Sequence, residues 1–397
     1  MPGSIFFMDY GINRRSLLTG LGAMSMGIML GGCRQRDHVT LSAVLLDNAV
    51  PPQLLTEFEK TLQSGIQLQV ESKAQLRDLF TQLQTWHNAE TSADDRSKKP
   101  ALPANVMALG DYWLQPAIQQ GLIQPMNPNS WAGWSNLGTP WQQLVRRDRQ
   151  GKLSESGELW AAPYRWGHLM IAYRKPEFEN LGWQPQDWVD LWRPDLKRRF
   201  SLPDSARTVI GLTLKMLGHG FNEPAPMAIA DLQPALNTLN QQVKVYSSDA
   251  YLQPLIIGDT WLAVGWSTDI LPVLERNKSL AGVIPTSGTL LSADIWVVPT
   301  NPDAAAPSSN ASAQPWVEFY WQRVIAEQLS LLSSGASPLL IKGDRATLPS
   351  ALQTNTLLIP PAEIMNQSEF LEPISEEAIA QYKELWIKTR VADPLDQ

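Results

Sequence analysis

The sequence predicts an α/β protein with mostly parallel sheets. Short apolar runs alternate along the chain with segments whose apolar residues recur at i, i+3, i+4 and i+7, the pattern of strands feeding helices. Pro, Asp and Ser stand where those helical segments begin. The chain has 397 residues, 44% of them hydrophobic and 18% charged, enough for two domains with separate cores and an ordinary globular balance.

The elements follow in order. Leu41–Leu46 is an apolar strand, and Pro51-Pro52 opens a helix carrying Leu54, Leu55, Phe58 and Leu62 on one face. Ile66–Val70 alternates as a strand, and Leu76, Leu79, Phe80 and Leu83 mark the next helix. Asn105–Leu109 is a buried strand with a helix starting near Tyr112, and Leu169–Tyr173 is another strand. Asp204 or Ser205 caps a helix whose apolar face is Val209, Leu212, Met216 and Leu217. Trp261–Val264, Gly282–Ile284 and Ile295–Val298 are short strands; Trp316–Leu332 and Glu376–Arg390 are helical. Thr91–Pro100 and Asn301–Pro315 are polar or Pro/Ala/Ser-rich and are expected as surface loops.

The N-terminus has the order of an export signal. Arg14-Arg15 precedes a Gly/Ala-rich apolar run that ends at Gly32-Cys33, too short and too rich in glycine for a permanent membrane span. The arginine pair resembles a twin-arginine signal, with Leu17 where Phe is usual and Asn13 where Ser or Thr is usual. Leu30-Gly31-Gly32-Cys33 resembles a bacterial lipobox. That resemblance implies removal of residues 1–32, lipidation of Cys33, and a periplasmic protein anchored to a membrane. Met8 is an alternative start to Met1.

Composition excludes several classes. A net charge of −7 leaves no electrostatic footprint for nucleic acid. One cysteine permits no internal disulfide, and four scattered histidines have no ligand spacing, so no metal site is expected. Nucleophile-elbow, P-loop, dinucleotide and zinc-protease motifs are missing, and no cofactor or catalytic residue is assigned. The chain reads as a binding protein and not an enzyme.

In open α/β folds, ligands sit beyond the carboxyl ends of strands. Those junctions read Asp47-Asn48, Gly110-Asp111-Tyr112-Trp113, Asp204-Ser205 and Gly265-Trp266-Ser267-Thr268-Asp269, and Asp294 opens a strand after a Gly/Ser-rich approach. Carboxylates with aromatic faces suit an ammonium group, through charge pairing and cation–π attraction. The competing structural reading is that Asp204, Ser205 and Ser267 are helix caps and that Trp113 and Trp266 are core residues.

Longer stretches carry a family resemblance. Asp111-Tyr112-Trp113-Leu114 through Gly121-Leu122-Ile123-Gln124-Pro125, then Pro163-Tyr164-Arg165-Trp166-Gly167 with Ile171-Ala172-Tyr173, are similar to segments of periplasmic polyamine-binding proteins. Trp188-Val189-Asp190-Leu191-Trp192, Asp204-Ser205-Ala206-Arg207, Gly265-Trp266-Ser267, Ile284-Pro285-Thr286-Ser287-Gly288 and Asp294-Ile295-Trp296-Val297-Val298-Pro299 continue the match in order. The resemblance implies a type II periplasmic binding fold, two α/β lobes with a ligand cleft between them. Lobe one is then expected at 38–164 and 293–343, and lobe two at 165–292 and 344–397, with chain crossings near 164 and 293.

The same resemblance implies a monomeric solute-binding lipoprotein that serves the permease subunits of an ABC importer. Its default ligand is a spermidine- or putrescine-like cation; a different small solute, or protein–protein contact, are the alternatives. Ligand contacts carried over fall on Tyr112 or Trp113, Trp266 and Asp294. Asp111 belongs to the same junction as the aromatic pair. The family's first aromatic–acid cluster is replaced by Asp47 and Asn48, two expected carboxylates by Ser205 and Thr208, and an expected Trp by Ser292. On this reading Asp294 pairs with the ligand's ammonium.

Overall fold

A computed structural model describes residues 39–91, 103–300 and 309–391. The export segment with Arg14, Arg15 and Cys33 lies outside the described residues, as does most of each expected loop. The main sheet is built from β1 (Val39–Leu46), β2 (Ile66–Lys73), β3 (Val106–Gly110), β4 (Ala162–Arg174), β5 (Phe200–Leu202), β6 (Val243–Tyr246), β7 (Leu262–Trp266), β8 (Leu280–Val283) and β9 (Leu290–Pro299). Their spatial order is β2-β1-β3-β9-β4-β7-β5-β6, with β8 also paired to β4.

The sheet is mixed, which corrects the expectation of mostly parallel pairing. The outer pairs β1/β2, β1/β3, β5/β7 and β5/β6 are parallel. The central pairs β3/β9, β9/β4, β4/β7 and β4/β8 are antiparallel. The reason lies in β4 and β9. Both are long and almost wholly buried, apolar on both faces, and they run side by side through the middle of the sheet in opposite directions. Periodicity within one strand carries no information on its partner's direction.

Two large cores flank these central strands. The first gathers Phe58, Trp166, Trp296, Trp316 and Tyr320, with the Tyr164 and Trp296 rings stacked at 3.8 Å. The second gathers Phe178, Trp188, Phe200, Leu262, Tyr382 and Leu385. Nine of the sixteen tryptophans are buried in packing, and Trp166, Trp188, Trp296, Trp316 and Trp321 fully so. Leu348, Leu352, Leu358 and Ile359 pack in the first core, although the expected boundary assigns them to the second lobe.

Most helices begin where the sequence predicts. Pro52–Glu59 starts at its proline but ends before Leu62, and Leu76–Thr91 carries the expected apolar face. The expected helix over 316–332 is two helices, Ser309–Tyr320 and Arg323–Leu332. The first reaches back into the expected loop over 301–315, because Ala313, Trp316 and Val317 are buried in the first core and hold that turn in place. No sequence pattern marks strands β5 and β6 or the helix Leu232–Gln242, whereas the helix Ser267–Arg276 starts at the junction where the sequence places a helix start. Two of the three residues of β5 are Phe and Leu, too short a run to show a period.

Candidate functional site: a cleft between the two cores

A cavity of about 450 Å³ opens beside the central strands. On one side it is walled by Leu46 at the end of β1, by Gln75, Leu76 and Arg77 at the start of the Leu76–Thr91 helix, and by Ser292 and Asp294 on β9. On the other side stand Ser248 and Asp249, Trp266 at the end of β7, and Thr268 and Asp269 in the first turn of the following helix. Arg165 and Gly167 on β4 form the floor between them. The strand-end placement is the one expected of an open α/β sheet.

Arg165 and Asp294 are the centre of this floor. They face each other in register across β4 and β9, where the pairing slips between Asp294 and Ile295. Such an irregularity re-aims a side chain, and here Arg165 Nε donates to Asp294 Oδ2 at 2.7 Å. The residues are 5% and 7% exposed. Arg165 Nη1 reaches the carbonyl of Ser333 at 3.4 Å. Burial works against the guanidinium's charge, but Asp294 together with Tyr164 and Asp269 outweighs it, so the pKa lies above its ordinary value and the arginine stays charged. Gly335 makes room for it: a Cβ there would come within 2.7 Å of Arg165 Cγ.

A second buried cluster supports the wall. The Tyr251 hydroxyl donates to Asp269 Oδ2 and accepts from the Trp266 backbone N–H at 3.0 Å. Burial pushes the Asp269 carboxyl up, partly offset by the Tyr251 hydrogen bond. Gly265 is required for this arrangement, since a Cβ at that position would lie 1.8 Å from the Tyr251 ring. Gly167 plays the same part on β4, where a Cβ would press on Ser267 Oγ at 2.8 Å. That hydroxyl accepts the His168 backbone N–H at 3.0 Å, tying the helix start to the strand.

Of the ten expected ligand contacts, Trp266, Ser292 and Asp294 line the cavity. Asp294 is paired with Arg165, so a ligand ammonium at this carboxylate would share it with the guanidinium. Asp47 and Asn48 are exposed in the turn after β1 and leave the wall to Leu46; Asn48 takes a positive φ of 60°. Asp111 is buried and accepts the Ser292 hydroxyl at 3.1 Å and the Ala293 N–H at 3.0 Å, so it orients β9 from behind. Burial drives its carboxyl up to about 6. Tyr112 is 56% exposed and Trp113 stacks on Phe80 at 4.5 Å; neither is in the wall. Ser205 caps the Ala206–Met216 helix, accepting the Thr208 N–H and hydroxyl at 3.4 and 3.0 Å, and both residues lie outside the wall. Local backbone satisfaction decided these last positions.

The sequence offers Asp269 as a junction carboxylate but gives Arg165, Arg77 and Asp249 no ligand role. Arg165 carried a signal: a charged residue between Tyr164 and Trp166 in an otherwise apolar strand has to meet a partner. Arg77 and Asp249 carried none. They come together at 3.7 Å across the mouth of the cavity, from segments far apart in the chain. Among the described residues no group of His, Cys, Asp and Glu could hold a metal ion, and no helix is long and apolar enough to cross a membrane.

The family model for bacterial extracellular solute-binding proteins matches residues 103–368, more than half of the chain. The spermidine/putrescine-binding periplasmic protein of Salmonella typhimurium is 22% identical over 373 residues, covering 94% of this chain and 97% of that protein. Among solved structures, the spermidine/putrescine ABC transporter substrate-binding protein PotD of Streptococcus pneumoniae superposes with a TM-score of 0.73 at 21% identity, over 89% of this chain and 99% of that one. The Tp0655 (TpPotD) lipoprotein of Treponema pallidum superposes at 0.62 with 16% identity, over 89% and 99%. The fold is therefore the type II periplasmic binding fold, with two α/β lobes. The relatives and neighbours are binding proteins and not enzymes.

Proposed function

We propose, for a chain that belongs to the bacterial extracellular solute-binding protein family, that it captures a small amine-bearing solute in the cleft and delivers it to the permease subunits of an ABC importer. The observation that carries this reading is that the Trp266 ring and the carboxylates of Asp269 and Asp294 line the same cavity. An aromatic face beside carboxylates is a site for an ammonium group. Relatives named for spermidine and putrescine support the same solute class, with polyamines as its starting members.

On this reading lobe one comprises 38–164 and 293–359, extended to Ile359 because the segment ending there packs in the first core. Lobe two comprises 165–292 and the terminal helix Glu376–Val391, whose Tyr382 and Leu385 pack in the second core. The crossings near 164 and 293 form the hinge, and closure buries the solute. Export through the segment ending at Gly32, and lipidation of Cys33, place the mature protein in the periplasm on a membrane anchor. Replacing Cys33 with Ala is then expected to release the protein from membrane fractions, and an unmodified Cys33 in those fractions would disprove the anchor.

A thermal-shift screen against polyamines, amino acids, sugars and organic acids tests the central reading. A true ligand at about 100 times its dissociation constant adds roughly 2.7 kcal/mol to stability. A best ligand without an amine would refute it. Small-angle scattering with the best ligand is expected to show compaction as the lobes close.

A further inference from the structure

The ionisable residues of the cavity wall are two arginines, Arg77 and Arg165, and three acids, Asp249, Asp269 and Asp294. Arg165 is bound to Asp294 at 2.7 Å and Arg77 lies 3.7 Å from Asp249. Four of the five charges therefore form ion pairs, and Asp269 is left with no salt bridge among the described residues, acted on by Arg165 only through its field. A site with one carboxylate in excess matches a solute carrying a single net positive charge. It does not match a fully protonated diamine or triamine, whose second ammonium would meet a guanidinium already in place.

The atoms left over by the central ion pair say more. Arg165 spends Nε on Asp294 and Nη1 on Ser333; its Nη2 makes no hydrogen bond among the described residues. Asp294 spends Oδ2 on Arg165; its Oδ1 likewise makes none. Neither atom is sealed away from the cavity. The floor thus offers a free charged donor and a free charged acceptor side by side, with Asp269 and the Trp266 face across from them. A planar guanidinium with one arm open to a cavity recognises a carboxylate.

We infer that the cleft recognises a zwitterionic amine, a solute in which one carboxylate accompanies two ammonium groups, and that Arg165 sets this specificity. The inference rests on the amine-binding reading above and narrows it. The solute's carboxylate accepts from Arg165 Nη2, and its ammonium is held by Asp294 Oδ1 and Asp269 against the Trp266 ring. A diamino acid brings two ammoniums and one carboxylate, a net charge that the single excess acid neutralises.

Matched pairs test this directly by calorimetry on the intact protein: ornithine against putrescine, and lysine against cadaverine. The members of each pair differ only by the carboxylate. The expected result is tighter binding of the amino acid in at least one pair, by about 30-fold or more, the usual consequence of leaving a buried charge unpaired. Arg165→Gln is expected to erase that preference, and Arg165→Lys to retain part of it by keeping the charge without the fork. If Arg165→Gln does not fold, the wild-type pairs and Arg165→Lys still decide the matter. Diamines that bind at least as tightly as their amino acids in both pairs overturn the role of Arg165 and leave the amine-binding reading standing. Failure of all four compounds, with tight binding of a solute that has no amine, overturns both.

Discussion

Arg165 and Asp294 meet at 2.7 Å across β4 and β9, at the one point where the two long strands fall out of register. The pair joins the floor of the cleft to the strands that pass between the lobes. Burying two charges is costly unless they stay together, so removing either one leaves the other stranded. Arg165→Met and Asp294→Leu are each expected to lower stability by about 3–5 kcal/mol, and the double variant to recover much of that loss. Urea unfolding of the four proteins measures the coupling. Additive losses would show that the pair does not act as a unit.

Gly265 is expected to be intolerant of any side chain. Its missing Cβ is the space occupied by the Tyr251 ring, which in turn holds Asp269. Gly265→Ala is expected to cost about 1–3 kcal/mol through overpacking. It also displaces the Tyr251 hydroxyl from Asp269, so affinity for the best ligand falls alongside stability. Unfolding and calorimetry on the one variant read both effects.

Two buried groups give opposite pH dependences. His168 is fully buried, with Nε2 2.9 Å from the Leu357 carbonyl, and desolvation lowers its pKa to about 4. The folded state holds it neutral, so its contribution is complete above about pH 6.5 and is lost as pH falls toward 4, roughly 3 kcal/mol in all. Burial raises Asp111 to about 6, so the folded protein binds that proton more readily than the unfolded chain. Acidification from 6 toward 4 therefore stabilises the protein through Asp111, by a similar amount. His168→Gln is expected to flatten the acid loss of stability and Asp111→Asn to steepen it. Urea midpoints at pH 7 and pH 4.5 for both variants check the two signs.

Trp266 is half-buried in the cleft wall, unlike the core tryptophans. Trp266→Ala is expected to weaken binding of an amine ligand by about 0.5–2 kcal/mol through lost cation–π attraction, with a smaller loss of stability than a fully buried tryptophan because its ring packs only partly against the second core. Trp296→Ala, which empties a buried ring site stacked on Tyr164, is expected to cost about 3–5 kcal/mol of stability. Melting curves and calorimetry on the two variants separate a ligand platform from a core residue.

The sequence by itself determined the α/β class, the position of most elements and the family segments. Apolar periodicity and capping residues act within a few positions of one another, as at Pro52 and Ser205. It also singled out Trp266, Ser292 and Asp294, which stand in the cleft wall. Tertiary structure alone decided which strands pair in opposite directions and which helix-start residues face the cavity. Ser205 and Thr208 satisfy their own helix, whereas Thr268 and Asp269 turn toward the cavity. It also decided that Arg165, 129 residues from Asp294 in the chain, would neutralise the carboxylate that a reading by analogy reserves for the ligand. Electrostatic pairing depends on distance in space, and no local pattern encodes a distance between β4 and β9.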